Sequence, residues 1–374
     1  MSLRIMFINT DYNEFLNDLY TNDPLLVKRS YEEQLKVRND TLFGTADFCS
    51  RNMRKIGHEA WDIHANNEFM QKMWANERGI KLGPSKRLQF HLCKKVFPRF
   101  SFVRNEEWKY KVLEAQVDYY KPDILYNHDI WSIESDFLKR IKPKVRLLIG
   151  QHAAPFYKDQ DLSCYDLLIS SLPNLVEYFK KKGLPARLQL LAFEPEVLNT
   201  IKLEYKKIDL SFVGSLSRSH ESRVKLIEYL CEEYKMQIWG RLDRIAENSP
   251  IRKYYMGEVY GAKMFQALGN SRITINSHID IAEGYANNMR LFEATGVGAL
   301  LVTDWKRNLQ DIFISGKEVV SYRSKEECYD LIRYYLQNED KRQEIALAGQ
   351  KRTLNSHTYL QRMQELEEII KRLL

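Results

Sequence analysis

The sequence predicts an α/β protein built from two doubly wound units, on three observations. Short continuous apolar runs alternate with helical patterns, and each run ends in a polar residue or glycine. The same alternation starts again after a proline-punctuated stretch near the middle. The 374 residues also exceed what one compact core usually holds. With 44% hydrophobic and 12% aromatic residues, but only 16 Gly and 10 Pro, the composition excludes global disorder and a collagen-like or low-complexity chain.

Arg4 to Asn9, Pro122 to Asn127, Val145 to Gly150 and Asp166 to Ser170 read as the first strands. Their apolar residues run on without alternating, which a parallel strand covered on both faces requires. Between them, Thr41 to Ile56 sets Leu42, Ala46, Cys49, Met53 and Ile56 at helical spacing and stops at Gly57, so one helix is expected over the whole stretch. Glu106 to Tyr120 reads as another helix, ended by Lys121-Pro122. From Arg78 to Arg104 there are eight basic residues, no acidic ones, and Phe90, Phe97, Phe100 and Phe102 interleaved. Two readings stay open: a solvated helix pair with its aromatics turned to the core, or a segment that settles on an anionic membrane surface or a polyanionic acceptor.

Pro185 and Pro195 mark the joint, placed at about residue 190. Beyond it, Asp209 to Gly214, Met236 to Gly240, Ile273 to Ile275 and Ala299 to Val302 read as strands, and Ser219 to Tyr234 and Asn288 to Thr295 as helices. Thr358 to Leu374 is a charged amphipathic helix with no strand after it. The expected division is therefore 1–190, 191–357, and a terminal helix over 358–374 lying across the domain junction.

Several classes are excluded. The longest apolar runs, such as Val297 to Val302, fall well short of the roughly 18 to 20 residues that span a bilayer, and the mean hydropathy is −0.48. The opening apolar run, the four residues Ile5 to Ile8, is too short for a signal-peptide core and reads as a strand. Five cysteines lie far apart, without a CxxC pair or zinc-finger histidines, so reduced thiols and a cytoplasmic setting are expected. A net charge of +7 is mild for this length, and no zinc finger, basic zipper or RNP motif points to nucleic acid.

The stretch from Asn276 to Asp304 carries the chemistry. A polar loop containing Gly284 enters a helix at Asn287-Asn288, so unpaired N–H groups and a positive dipole end meet at one point, which suits a diphosphate. Arg290 adds a bidentate cation, and Glu293 adds a carboxylate able to take both hydroxyls of a ribose. The plainer readings are a structural Arg290 paired with Glu293 or Glu283, and a Glu293 that merely coats a helix.

Asn288-Met-Arg-Leu-Phe-Glu-Ala-Thr-Gly-Val-Gly-Ala-Leu-Leu-Val-Thr-Asp304, followed by Gly316 to Tyr322 and Ala348-Gly349 through His357-Thr-Tyr, resembles the C-terminal half of the CgeB-like glycosyltransferases. These are relatives of the retaining GT4-type group with the GT-B fold: two Rossmann-like domains facing each other across a cleft. Thr41 to Phe48, Gly150-Gln-His-Ala-Ala-Pro155 and Phe212-Val-Gly-Ser-Leu216 extend the similarity over most of the chain. The resemblance implies transfer of a sugar from a nucleotide sugar, UDP-linked by default, to an acceptor that the sequence does not identify. No cofactor is implied. Glu293 matches the second glutamate of a family pair spaced eight apart. Where the first should stand this chain has Tyr285, and the nearest acid is Glu283.

The loop Gly214-Ser-Leu-Ser-Arg218 resembles a diphosphate-binding segment, with Arg218 as its cation and Arg223 or Lys225 as substitutes. Trp239-Gly240-Arg241 and Gly257-Glu-Val259 resemble loops beside the base. Donor binding thus falls to Glu293, Arg290, Asn288, Arg218, Tyr285, Gly240 and Gly214, and catalysis to His152 and Glu283. On the acceptor side, strand-end loops nominate Asn9 to Tyr12, Asn127-His128-Asp129 and Gln151-His152; His152 leads because it directly follows a buried strand. Arginines and a helix N-terminus in place of a metal predict metal-independent transfer. An epimerase of the same fold, or a binding protein that has lost transfer, are the alternatives.

Overall fold

A computed structural model describes residues 2–83, 86–91, 99–104, 106–154, 160–202, 206–217, 220–279 and 282–374. Its strands are β1 (Arg4–Asn9), β2 (Glu59–His64), β3 (Lys86–His91), β4 (Arg99–Arg104), β5 (Ile124–Asn127), β6 (Leu147–Gln151), β7 (Leu167–Ser170), β8 (Ala186–Leu188), β9 (Ile208–Val213), β10 (Leu216–Ser217), β11 (Gln237–Trp239), β12 (Leu242–Asp243), β13 (Ser271–Asn276), β14 (Leu300–Asp304) and β15 (Val320–Tyr322). The helices are α1 (Asn13–Asn22), α2 (Tyr31–Asp40), α3 (Phe48–Lys55), α4 (Glu68–Glu77), α5 (Glu107–Tyr120), α6 (Ser135–Ile141), α7 (Pro173–Lys181), α8 (Val197–Thr200), α9 (Glu221–Glu233), α10 (Gly261–Gly269), α11 (Met289–Gly296), α12 (Leu309–Ile312), α13 (Lys325–Gln337), α14 (Glu339–Ser356) and α15 (Tyr359–Lys371).

Two compact units emerge. The first comprises residues 1–40, 56–151 and 158–167; the second comprises 41–55, 152–157 and 168–374. In the first, parallel strands pair in the order β2-β1-β5-β6, so the chain reverses its direction of travel across the sheet between β1 and β5. Ile5, Met6, Phe7, Ile8, Ile124 and Leu125 are fully buried, as their unbroken apolar runs require. Within 78–104, β3 and β4 pair antiparallel, so the backbone there is a hairpin and not the helix pair; residues 84–85 and 92–98 lie outside the described residues.

The second unit is ordered β11-β9-β13-β14-β15, all parallel, with Phe212, Ile238, Ile273, Ile275, Leu300 and Val302 at its centre. Strand order reverses between β9 and β13, and in such sheets a ligand crevice opens at the carboxyl ends of the two flanking strands. The helix expected over Thr41 to Ile56 is shorter: only Phe48–Lys55 is helical. Leu42, Gly44 and Ala46 take positive φ of 59°, 62° and 43°, and the Thr41 carbonyl accepts the Ala262 amide at 2.8 Å, so 41–47 is a set of turns laid against α10. The helical spacing of Leu42 and Ala46 reflects burial in those turns.

The terminal helix α15 opens with a capping box between Thr358 and Gln361 and packs on α3, where Phe48 and Tyr359 meet at 5.1 Å. Cys164, Cys231 and Cys328 are buried free thiols, and burial pushes Cys231 up to about 12; Cys93 lies outside the described residues. Among the described residues no helix is long and apolar enough to cross a membrane.

Candidate functional site

The crevice at the β9–β13 reversal is built from backbone first. β9 ends at Val213 and turns through Gly214; β11 ends at Trp239 and turns through Gly240. The Gly214 amide donates to the Trp239 carbonyl at 2.9 Å and the Leu216 amide to the Arg241 carbonyl at 2.8 Å, which holds the two turns together. Gly240 has φ of +127°, and a Cβ placed there would lie 2.2 Å from the Gly214 carbonyl oxygen. Only glycine permits that approach. On the far side of the crevice, Arg223 of α9 donates to the carbonyls of Ser215 (3.0 Å) and Ser277 (2.6 Å), joining the loops that follow β9 and β13.

Asn288 fixes the start of α11 at this edge. Its side-chain oxygen accepts the Leu291 amide at 3.2 Å as an N-cap, while its Nδ2 donates to Asn276 Oδ1 at 2.7 Å. Asn276 in turn donates to Thr303 Oγ1 at 2.9 Å, so the helix N-terminus is tied to the ends of β13 and β14. The preceding loop is pinned to the turn after β14: Asn308 Oδ1 accepts the Ala286 amide at 2.6 Å, and Arg307 donates to the Glu283 carbonyl at 2.6 Å while lying 4.4 Å over the Tyr285 ring. Glu283 sits at φ +46° with its side chain exposed, whereas Tyr285 is half-buried.

Arg290, half-buried, and Glu293, buried, pair on the first turns of α11. Arg290 Nη1 lies 2.8 Å from Glu293 Oε2, and its Nε donates to the Val213 carbonyl at 3.1 Å. The guanidinium thus joins α11 to the end of β9. Burial pushes the Glu293 carboxyl above its ordinary range, and the Arg290 charge offsets only part of that. Glu293 is therefore buried and not a residue coating the helix surface, and the carboxylate paired with Arg290 is Glu293, as the plainer reading has it. Arg218 lies outside the described residues.

His152 is buried just past β6. Its amide donates to the Ile169 carbonyl at 2.9 Å and its ring meets Phe179 of α7 edge-on at 6.5 Å. In the first unit, the loops nominated at the β1–β5 reversal do converge: Thr10 Oγ1 donates to Asp129 Oδ2 at 2.6 Å, and His128 stacks against Phe7 and Tyr126 at 5.6 and 4.6 Å. Burial pulls His128 down to about 4. Asp11 is committed internally, paired with the buried Arg38 and 3.3 Å from His64 Nδ1.

The sequence contains one Asp-x-Asp triplet, Asp159-Gln160-Asp161. Asp159 lies outside the described residues; Asp161 pairs with Lys139 at 2.6 Å and accepts the Ser163 amide at 2.9 Å. Among the described residues no cluster of three or more His, Cys, Asp or Glu is placed to hold a metal ion.

One group at this edge was missed by the sequence reading. His278, two residues past β13, donates from Nδ1 to Asp304 Oδ1 at 2.6 Å and from its backbone amide to the same oxygen at 3.0 Å; Lys306 holds the other carboxylate oxygen at 2.9 Å. The partners stand 26 positions apart, and no local pattern links them.

Residues 218–368 match the family model described as glycosyl transferase-like. No curated protein matches the chain. Among solved structures, an alpha-glucosyltransferase in complex with UDP-glucose and DNA containing an abasic site is 11% identical with a TM-score of 0.60, covering 99% of this chain and 100% of its own. A glycosyltransferase from Rickettsia africae is 10% identical with a TM-score of 0.58, over 100% of this chain and 98% of its own. Anabaena HepE, solved with UDP-glucose, is 10% identical with a TM-score of 0.56, over 99% and 100%. At these identities the likeness concerns the fold, and the fold of this chain is GT-B.

Proposed function

We propose that this chain is a glycosyltransferase that takes a nucleoside-diphosphate sugar, with UDP as the nucleotide, in the β9–β13 crevice of its second unit. The observation that carries the reading is the N-terminus of α11, capped by Asn288 and tied through Asn276 to the ends of β13 and β14, with Arg290 and Glu293 on its first turns. The glycosyl transferase-like match over 218–368 supports it, and so does the fold shared with proteins solved with UDP-glucose. CgeB-like membership is part of the same proposal, as is a boundary near residue 190 between an acceptor side and a donor side.

Chemistry follows from charge. When the glycosidic bond to the diphosphate breaks, negative charge grows on the leaving oxygens. The positive dipole end of α11 and the Arg290 guanidinium are fixed in place to meet that charge and need no reorganisation. Glu293 accepts the ribose hydroxyls, each charged hydrogen bond contributing about 1.5–3 kcal/mol. Arg218 would add a further cation, and Tyr285 and Glu283 would border the sugar. Transfer is then independent of metal. The acceptor side falls to the first unit, where Thr10, His128 and Asp129 converge, and His152, which belongs to the second, is our candidate for a proton-transfer or sugar contact.

Incubation with a panel of UDP-, GDP- and ADP-sugars tests this. Released UDP, accelerated by an acceptor, is expected. An altered sugar still attached to its nucleotide would instead identify an epimerase, and binding without turnover a protein that has lost transfer.

A further inference from the structure

We propose that Nε2 of His278 makes a hydrogen bond with a hydroxyl of the donor's sugar, with Asp304 holding the ring in place; the inference rests on the nucleotide-sugar reading of the same crevice. Three observations carry it. The side chain is fully buried, yet Nε2 has no hydrogen-bond partner among the described residues. Buried ring nitrogens are normally satisfied, so the atom calls for a partner from outside the chain. The other ring nitrogen is already taken: Asp304 Oδ1 stands 2.6 Å from Nδ1 and accepts its N–H, which fixes the ring's orientation.

Burial pushes the Asp304 carboxyl up, but the His278 hydrogen bond and the nearby Lys306 ammonium outweigh that and hold it at about 2, so the acceptor persists at any working pH. With Nδ1 committed to Asp304, Nε2 is the ring atom left for a ligand. Position points to the sugar. His278 follows Asn276 and Ser277, whose side chain and carbonyl bind Asn288 and Arg223, and its loop leads into the helix N-terminus proposed for the diphosphate. The glycosyl group is bonded to that diphosphate and must lie beside it.

Calorimetry on the full chain separates the possibilities, using UDP and whichever of UDP-glucose, UDP-galactose and UDP-N-acetylglucosamine the wild type binds best. His278→Asn keeps an amide nitrogen near Nδ1 for Asp304 but has no atom at Nε2; His278→Gln places an amide oxygen near Nε2. UDP affinity is expected to be equal in all three proteins. UDP-sugar affinity should fall roughly five- to tenfold in His278→Asn and recover in His278→Gln. In the wild type, the Nε2 resonance of His278 should shift on adding UDP-sugar and not UDP, a readout that needs no variant to fold. Unchanged UDP-sugar binding in His278→Asn, equal losses for UDP and UDP-sugar, or an Nε2 resonance that moves with UDP alone would overturn the assignment. A wild type that binds no UDP at all strikes the nucleotide reading itself, and this one with it.

Discussion

Replacing Gly240 by alanine asks whether the crevice depends on two backbones touching. A Cβ at this position would lie 2.2 Å from the Gly214 oxygen and 2.6 Å from its carbonyl carbon. Both are main-chain atoms, so no rotamer change relieves the clash, and the turns must part by roughly 1 Å to restore van der Waals distance. Parting strains the Gly214–Trp239 and Leu216–Arg241 hydrogen bonds and moves Val213, whose carbonyl anchors Arg290. Overpacking of this kind costs about 1–3 kcal/mol. An alanine at φ +127° adds about 1–3 kcal/mol of backbone strain. At roughly 2–4 °C per kcal/mol for a unit of this size, a combined loss near the middle of that range lowers Tm by about 8–16 °C. Thermal unfolding followed by circular dichroism reads the stability, and calorimetry with UDP reads the site, where affinity should fall at least tenfold. A variant that melts within about a degree of wild type and binds UDP equally would refute the reasoning.

Arg290→Met should destabilise the chain by about 3–5 kcal/mol in urea titrations, because it leaves Glu293 buried without a counter-charge, and adding Glu293→Leu should recover most of the loss. Glu293 also makes stability depend on pH. Its folded value is raised, so its contribution is complete below the unfolded value and is lost as pH rises through the folded one; Arg290→Met should extend that loss to higher pH. Turnover of the nucleotide sugar should be indifferent to EDTA, and activity abolished by EDTA and restored by Mn²⁺ would contradict the role given to α11 and Arg290. The cation-rich 78–104 segment, hairpin included, should sediment with anionic but not neutral liposomes and release at high salt; equal, weak binding to both would mark it as ordinary solvated surface.

What was legible in the sequence follows from where the signal is local. β1, β5, β6, β9, β13 and β14 announce themselves because strands buried on both faces are unbroken apolar runs. β2 escaped because its run, Glu-Ala-Trp-Asp-Ile-His, contains Asp62, a buried carboxylate that Asn9 Nδ2 reaches at 2.8 Å from the neighbouring strand. The hairpin of β3 and β4 escaped because its cations and phenylalanines fit a helix surface as well as a strand. Residues 41–47 mimicked helical spacing while the chain turned three times through positive φ. Within the site, the Asn288 cap and the Arg290–Glu293 pair lie three positions apart or fewer from their local partners, so the residue types alone suggested them. The His278–Asp304 pair and the surroundings of His152 depend on strands that meet only after folding.

The most direct test of the central claim is a structure of the chain with UDP bound. The ribose hydroxyls should lie on the Glu293 carboxylate and the diphosphate at the start of α11 beside Arg290, between the ends of β9 and β13. UDP seated elsewhere, or a crystal soaked in millimolar UDP whose crevice holds none, would contradict it.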